Sequence, residues 1–466
     1  MIPDHARSRP TAATLLALAC LGSMAGPLCA QEPTPDERLE ALEARVDSLS
    51  ARLESARPAG AVELQAQLDA VIVELERLRL GEAEVLADSS AFGFAPAASK
   101  VYRVRRGVSL GGYGEILYEN FAAEREDGEP ASASDQIDAL RAIIYLGYRF
   151  SDRILFNSEI EFEHASTGQA GSASVEFATL DYLLGERFGL RGGLLLVPMG
   201  FINEIHEPTT FLGTERPETE RAIMPSTWRE NGIGVFGETD DLSFRAYVVN
   251  GLDGVGEGAS GASGFSSSGL RGGRQKGSKA IAEDLAFVGR ADWTALPGFM
   301  LGGSVYVGES AQNARSALDP DRRVGGLTTI FEGHAQLRRA GFDVRGLYAA
   351  AHLDDVEELN AIRGFTGDAT IGERLAGGYV QLGYDLLHRT ASDHEIVPYI
   401  RYERLDTQAS VPDGFTADPA QERQVVSVGA AWRPLLGMIV KADYQFRSNE
   451  AGTATDQFNI ALGYAF

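Results

Sequence analysis

Cysteine is nearly absent from this chain of 466 residues, and both copies, Cys20 and Cys29, lie close to the amino end. They fall in residues 1–30, where Arg7 and Arg9 precede an apolar stretch that is followed by small residues. That order is typical of a secretory signal peptide. Once this segment is removed the chain has no cysteine, which excludes a disulfide framework and a thiolate metal site.

Two cleavage positions fit this signal. Cleavage after Ala30 is expected, although Leu28 at the −3 position is bulky, and cleavage after Ala25 with Ser23 at −3 is the alternative. The apolar stretch is too short for a membrane anchor, because a spanning helix needs about 20 apolar residues. The sequence therefore predicts an exported protein.

Long hydrophobic runs are missing from the rest of the chain, so no transmembrane helix is expected after residue 30. The mean hydropathy of −0.12 is compatible with a membrane barrel, because the strands of such a barrel alternate apolar and polar residues. Lysine is also scarce, with four copies in the whole chain, and the formal net charge is −24. That charge argues against nucleic acid as a partner.

Catalytic and cofactor motifs are absent as well. The sequence has no H-E-x-x-H, no Walker loop, no dinucleotide fingerprint and no zinc-ligand spacing, so neither a cofactor nor a metal is expected. His206 lies between Glu204 and Glu207, but no second histidine is near in sequence, and a hydrogen-bonding role is expected for it. The Gly/Ser-rich stretch at 264–269 is interpreted as solvated surface.

Residues 31–86 show a helical pattern. From Leu39 to Leu53, and again from Leu64 to Leu78, apolar residues recur at alternating spacings of three and four, on either side of a break at Pro58. This spacing is typical of a coiled-coil seam. The two stretches could fold against each other as a hairpin or associate between chains, and we expect intermolecular association. Residues 87–106, with Gly93 and small residues, are interpreted as a linker.

From residue 107 to 466 the period changes to two, and about sixteen alternating segments follow one another. Short connections alternate with long ones along the chain. Short turns at one end and long loops at the other are typical of an outer-membrane β-barrel, with both chain termini on the periplasmic side. We therefore predict an all-β fold, a transmembrane antiparallel barrel of about 16 strands preceded by the helical segment.

The charged face of the strands should line the lumen, and the apolar face should contact lipid. Trp293 and Trp432 fall at strand ends beside short turns, where an aromatic girdle belongs. By parity, the lumen wall is predicted to carry Arg141, Glu159, Glu161, Glu163, Arg245, Arg290, Arg345 and Lys441, with Asp292, Arg338, Asp343 and Arg447 on the same face.

The third long loop, at 200–229, is the most charged. A loop that bends into the lumen narrows a pore and selects solutes by charge and width. Its predicted constriction residues are Glu204, His206, Glu207, Glu215, Arg216, Glu218, Glu220 and Arg221. Because carboxylates outnumber arginines on this loop, we expect a weak cation preference against the arginines of the wall.

Three motifs resemble the phosphate-selective porin O and P family: Leu196-Val197-Pro198-Met199-Gly200, Asn203-Glu204-Ile205-His206-Glu207-Pro208-Thr209, and Thr227-Trp228 with Gly232. Glu159, Glu161 and Glu163 and the heptad extension are similar too. The resemblance implies a trimeric, sixteen-stranded channel. Family members specific for phosphate use lysine and arginine clusters, whereas this loop has no lysine, so the resemblance indicates ancestry rather than solute.

The sequence thus predicts an outer-membrane porin for passive diffusion of small hydrophilic solutes or ions, with lipid and two further copies of the chain as partners. Phosphate-type anions are the solutes that family membership alone would imply, and the missing lysines of the loop count against them. Two alternatives stay open. One is a barrel enzyme, and the other is a structural tether between envelope layers.

Overall fold

The computed structural model describes residues 35–54, 64–65, 67–72, 89–168, 171–256 and 258–466. Sixteen antiparallel strands, each paired with its neighbours in chain order, form one sheet. The sheet closes where the first strand pairs with the sixteenth. The predicted sixteen-stranded transmembrane barrel is confirmed. The predicted signal peptide, residues 1–30, lies outside the described residues.

The strands are β1 (Gly107–Phe121), β2 (Gln136–Arg149), β3 (Ile154–Glu163), β4 (Ala173–Leu183), β5 (Phe188–Leu196), β6 (Arg229–Glu238), β7 (Leu242–Asn250), β8 (Leu285–Trp293), β9 (Phe299–Gly308), β10 (Thr328–Arg339), β11 (Phe342–Leu353), β12 (Arg374–Tyr384), β13 (Glu395–Ser410), β14 (Glu422–Leu435), β15 (Met438–Asn449) and β16 (Gln457–Ala465). The described α-helices are α1 (Pro35–Glu54), α2 (Glu218–Ala222) and α3 (Val356–Arg363), and residues 64–65 and 67–72 are also helical.

The amino-terminal helical segment forms a compact unit of its own. Leu49 of α1 is buried with Leu68 and Val71, and five further apolar side chains pack on this cluster. The two seam stretches therefore contact each other within one chain, as in the hairpin alternative. No helix in the described part of the chain is long and apolar enough to cross a membrane.

The two ends of the barrel differ in the length of their connections. At one end, the short-turn end, the strands are joined through 150–153, 184–187, 239–241, 294–298, 340–341, 385–394 and 436–437. At the other, the long-loop end, the longest connections are 197–228, named loop 3 here, and 251–284, named loop 4. β1 begins and β16 ends at the short-turn end, as the loop pattern predicted.

The strands place apolar side chains outward and polar side chains inward. In β16, Phe458, Ile460, Leu462 and Tyr464 are exposed, whereas Gln457 and Asn459 on the opposite side are buried. The outward side chains are those that a membrane barrel turns toward lipid. Trp293 and Trp432 are exposed near the short-turn end, where an aromatic girdle was predicted.

Backbone hydrogen bonds seal the barrel at its seam. Gly112 N donates to Phe466 O at 3.1 Å, and Phe466 N donates to Gly112 O at 2.9 Å. A Cβ at Gly112 would lie 2.4 Å from Ile143 O and 2.9 Å from the Phe466 ring, so the close approach requires glycine. The terminal residue therefore takes part in closure.

Residues 89–106, named the strap here, lie inside the barrel. A 3-10 helix (Ala98–Tyr102) packs against the inner faces of β1, β2 and β3. Phe94, Ala97, Ala98 and Val101 are at most 2 % exposed. This stretch was interpreted as a linker from its sequence, and its position inside the barrel was not predicted.

Candidate functional site

Loop 3 leaves the long-loop end, enters the lumen and returns to β6. Asn203 holds its two ends together, because its side-chain amide donates to Val197 O at 2.6 Å and to Trp228 O at 2.8 Å, and its Oδ1 accepts from Trp228 N at 2.5 Å. Trp228 is fully buried and its ring lies 4.9 Å from that of Tyr306 on β9. The loop is thus anchored at its neck before it crosses the lumen.

The first loop carboxylate, Glu204, joins a buried charge network on the wall. Arg245 Nη2 on β7 lies 2.9 Å from Glu204 Oε2, and Arg290 Nη1 on β8 lies 3.8 Å from the same oxygen. Both arginines also pair with Asp292, at 3.1 and 2.8 Å. His334 on β10 completes the network with a contact of 2.9 Å to Asp292. The sequence placed these charges on facing surfaces, and the structure joins them into ion pairs.

His206 and Glu207 lie further along the loop, against β1 and β3. His206 Nε2 lies 3.2 Å from Glu159 Oε1, and its Nδ1 is 3.0 Å from Asn203 O. Glu207 Oε1 accepts a hydrogen bond of 2.8 Å from Ala97 N of the strap. Burial raises the pKa of Glu207 to about 8. His206 therefore has the hydrogen-bonding role that was predicted for it.

Glu215 and Glu218 bind the distal part of the loop to β14, β15 and β16. Gln457 Nε2 donates to Glu215 Oε2 at 2.8 Å, and Arg447 Nη1 is 3.5 Å from the same oxygen. Glu218 pairs with Arg423 at 3.0 Å and also with Arg447. Both carboxylates are therefore neutralised by the wall.

Glu220, in α2, is fully buried and accepts hydrogen bonds from Ile202 N at 2.8 Å and from the Tyr379 hydroxyl at 2.7 Å. Its surroundings offer it no arginine at ion-pair distance among the described residues. Burial raises the pKa of Glu220 to about 7. This carboxylate therefore holds the loop by hydrogen bonds and not by charge.

Wall cations also bind the backbone of the loop. Arg345 Nη2 donates to Thr210 O at 2.7 Å. Lys441 Nζ donates to Gly213 O at 2.9 Å and lies 3.6 Å from the centre of the Phe211 ring. Lys441, one of four lysines in the sequence, is 1 % exposed. Backbone carbonyl groups of loop 3 thus bind Arg345 and Lys441, which alternation predicted to face an open lumen.

Other predicted wall residues do not meet loop 3 at ion-pair distance. Arg141 lies 3.6 Å from Glu115 on the adjacent strand. Glu163 accepts a hydrogen bond of 2.8 Å from Ser172 Oγ, and Glu161 is buried in the wall. These three line the β2–β3 side of the lumen near its long-loop end.

A second loop enters the same space. Leu252, Val255, Phe265 and Leu270 of loop 4 are buried in one core with loop 3. The expectation of solvated surface for the Gly/Ser-rich stretch was therefore wrong for Phe265, which is fully buried, whereas Ser268 is exposed. Phe265 and Leu270 pack into the core, and the intervening polar residues form a turn closed by hydrogen bonds between Ser266 and Gly269.

Loops 3 and 4 bring together a cluster of arginines, named the arginine cluster here: Arg216, Arg221, Arg271 and Arg274. Arg216 Nη1 donates to Thr227 Oγ1 at 2.6 Å, and Arg271 and Arg274 donate to the carbonyl oxygens of Ser226 and Thr227. Within the described ranges, Arg216, Arg271 and Arg274 have no carboxylate at ion-pair distance.

The pKa values of the arginine cluster are affected by this lack of paired carboxylates. Burial and the nearby Arg274, Arg221 and Arg216 lower the pKa of Arg271. Burial and Arg141 likewise lower the pKa of Arg216. Guanidinium groups stay charged at neutral pH in spite of such repulsion. The cluster is consequently a site of excess positive charge at the long-loop end of the lumen.

The structure thus changes the charge balance that the sequence indicated. The five loop carboxylates are engaged by arginines, amides or hydroxyls, whereas Arg221 is 46 % exposed. The acidic composition of loop 3 therefore does not produce an acidic lumen surface. Among the described residues, no group of three or more His, Cys, Asp or Glu side chains is arranged to hold a metal ion.

Several residues of the site were not found by sequence reasoning. The Tyr379 hydroxyl donates a hydrogen bond to Glu220 of α2, and Glu403 accepts one from Thr219 N of the same helix. Asp443 accepts a hydrogen bond of 2.8 Å from Thr214 N. Alternation puts Asp443 on the same face as Lys441, but no periodic signal tells which loop atom a wall residue contacts. The arginines of loop 4 were not predicted, because they follow the Gly/Ser-rich stretch that was interpreted as solvated surface.

No family model matches the chain. An uncharacterised protein of Aquifex aeolicus (strain VF5) is 38 % identical over 382 residues, which cover 80 % of this chain and 83 % of that protein. The chain belongs to the same family.

Solved structures with the same architecture are outer-membrane proteins. The Salmonella typhi OmpF complex with daunomycin is 14 % identical, with a TM-score of 0.51, covering 78 % of this chain and 98 % of that one. The Acinetobacter baumannii outer-membrane channel DcaP is 11 % identical, with a TM-score of 0.46, covering 77 % and 97 %. The likeness to OmpF is one of fold.

Proposed function

We propose that this protein is an outer-membrane porin that lets small hydrophilic solutes or ions diffuse passively through its lumen. The observation that carries the proposal is a closed barrel, apolar outside and polar inside, with loop 3 folded into the lumen. An inward loop of this kind makes the constriction at which a pore selects solutes. The predicted signal peptide and the fold shared with OmpF support export to the outer membrane, with the short-turn end toward the periplasm.

Planar-bilayer recording of the purified protein tests this function. Stable single-channel steps are the expected result. A barrel enzyme or a tether without a pore would give none, so the same recording separates the alternatives. Detection of the protein in an outer-membrane fraction tests its location independently.

We further propose that the pore prefers anions. The five carboxylates of loop 3 are occupied by partners, and the arginine cluster keeps a surplus of positive charge at the long-loop end. Charge at the mouth of a low-dielectric cleft raises the local concentration of counter-ions. This proposal replaces the weak cation preference that the composition of the loop suggested. Phosphate-type anions fall within the preferred charge class, and the arginine cluster does not by itself select among anions.

The reversal potential across a salt gradient tests the anion preference. The triple variant R216Q/R271Q/R274Q should move it toward cation selectivity. A matched control, R153Q/R187Q/R389Q, removes three exposed arginines of the short turns and should leave the reversal potential nearly unchanged. A cation-selective wild type, or equal shifts in the two variants, would refute the anion preference and leave the pore itself standing.

We also propose that the protein is a homotrimer. The outer wall exposes a continuous set of large apolar side chains, some of which an adjacent barrel could cover in place of lipid. The helical segment packs on itself within one chain, so the barrel wall is the surface proposed for association. Light scattering of the detergent-solubilised protein should give the mass of three chains, and a monomer mass would contradict the proposal.

A further inference from the structure

The strap covers the inner face of β1–β6 near the short-turn end. Asn157 Nδ2 on β3 donates to Ala98 O at 2.9 Å. Phe92 N donates to Glu238 Oε2 on β6 at 2.9 Å. Arg149 on β2 adds two hydrogen bonds, each of 3.0 Å, to the carbonyl oxygens of Tyr102 and Val104. The strap is thus tied to the wall across several adjacent strands.

Arg191 on β5 is the central anchor of the strap. Its guanidinium carbon lies 4.1 Å from the centre of the Phe94 ring and 4.5 Å from that of Phe236, between a strap ring and a wall ring. It also pairs with Asp181 at 2.9 Å and donates to the Tyr102 hydroxyl at 2.7 Å. A buried, fully paired guanidinium of this kind gives the strap one defined position.

The wall beneath the strap is shaped to receive it. A Cβ at Gly111 would lie 2.9 Å from Ala97 O, and one at Gly147 would lie 2.9 Å from Val101 Cβ. Neither approach leaves room for a side chain, so the strap packs directly on the wall at these two points. This part of the lumen is therefore filled by protein and closed to solutes.

The strap also contacts loop 3. Ala97 N donates to Glu207 at 2.8 Å, and a Cβ at Gly93 would lie 2.5 Å from Glu204 Oε1. Gly93 has a positive φ of 85°, which favours glycine. The element that enters from the short-turn end therefore meets the one that enters from the long-loop end.

What is left open at the short-turn end is a cavity of about 750 Å³, named the vestibule here. One side is formed by the first residues of the strap, including Ser90 and Ala91, and the roof by loop 3. The opposite side carries ion pairs of the wall, in which Arg338 and Arg345 meet Asp343 and Arg433 meets Glu395. A solute that has passed loop 3 on this side enters the vestibule.

We propose that the strap is a second constriction of the pore, in series with loop 3, and that it confines solutes to the arginine-bearing wall of the vestibule. The inference rests on the proposed porin function. It assigns to residues 89–106 a part in setting conductance, and it predicts that added bulk on the lumen side of the strap obstructs the current.

The test uses the full chain with Ser90→Cys, because Ser90 is exposed and lines the vestibule. The exported chain has no cysteine of its own, so a charged methanethiosulfonate reagent labels this position alone. Added from the short-turn side during bilayer recording, the reagent should lower single-channel conductance in discrete steps. Ala91→Cys is the second variant and should respond in the same way.

The matched control is Ser392→Cys, in the exposed turn 385–394 and outside the residues that line the vestibule. Mass spectrometry establishes that each variant is labelled. Unchanged conductance in the labelled S90C and A91C variants, no labelling of either, or an equal loss in S392C would each overturn the role of the strap. A wild type that makes no channel would instead defeat the porin function, so the two failures are distinguishable.

Discussion

Glu204 of loop 3 and Arg245 of β7 form an ion pair of 2.9 Å in which each side chain is at most 5 % exposed. Arg290 and Asp292 surround this pair, so that two arginines share two carboxylates. The pair connects the constriction loop to the barrel wall at a point where both side chains are almost completely buried.

Removing one member of this pair should destabilise the barrel. Glu204→Gln leaves two buried guanidiniums with one carboxylate, and breaking a buried pair costs about 3 kcal/mol. We expect a lower melting temperature, measured as heat-modified mobility in gel electrophoresis. Glu395→Gln serves as the control, since it breaks the Arg433 pair of a carboxylate that is 51 % exposed, where about 0.5 kcal/mol is expected. Equal effects of the two substitutions would contradict the role of the buried pair.

Lys441→Met should loosen the middle of loop 3. The substitution keeps the bulk but removes the hydrogen bond to Gly213 O and the contact with the Phe211 ring, together worth about 2 kcal/mol. The expected sign is increased current noise in single-channel records. Lys279→Met, at an exposed position of loop 4, is the matched control and should show the same current noise as the wild type.

The stability of the barrel should fall as pH rises, in part through Glu220. Burial raises the pKa of this carboxyl to about 7, so the folded state binds the proton more tightly than the unfolded chain does. Its stabilising contribution is present below the ordinary pKa of about 4.5 and is lost as pH rises through about 7. The melting temperature of Glu220→Gln should therefore change less between pH 5 and pH 8 than that of the wild type. Identical pH profiles would argue against the assignment.

Anion preference should weaken with salt. At 0.1 M the screening length is about 10 Å, and at 1 M it is about 3 Å, so the arginine cluster acts over less of the lumen. We expect the permeability ratio, from reversal potentials at several mean salt concentrations, to approach unity at high salt. A ratio that is independent of salt would point to selection by pore width.

The strands could be predicted closely because period-two alternation continues through them. Alternation predicts strands at 107–121 and 242–250, and β1 and β7 have these bounds. It also predicts a strand at 188–199, but β5 stops at Leu196 because Pro198 follows and loop 3 turns inward. The alternation at 394–406 is exceeded by β13, which continues to Ser410 since its last residues pair with the start of β12. Alternation reports faces well and boundaries less well.

The interior could be predicted only in part. Parity identified Arg245, Arg290 and Lys441 as inward-facing, but a lumen is filled by segments distant in sequence, and parity carries no information about them. The strap had the composition of a linker, and many of its contacts use backbone atoms such as Ala97 N and Ala98 O, which composition does not report. Its aromatic anchors, Phe92 and Phe94, were the available signal.

The seam between β1 and β16 has a consequence for incomplete chains. Tyr113 pairs with Ala465, so β1 has no second neighbour until β16 is in place. A chain that ends one strand early would present two open sheet edges to hydrocarbon, with backbone N–H and C=O groups that lipid cannot satisfy. Loss of β16 therefore leaves an unsealed sheet, which has no low-energy position in hydrocarbon.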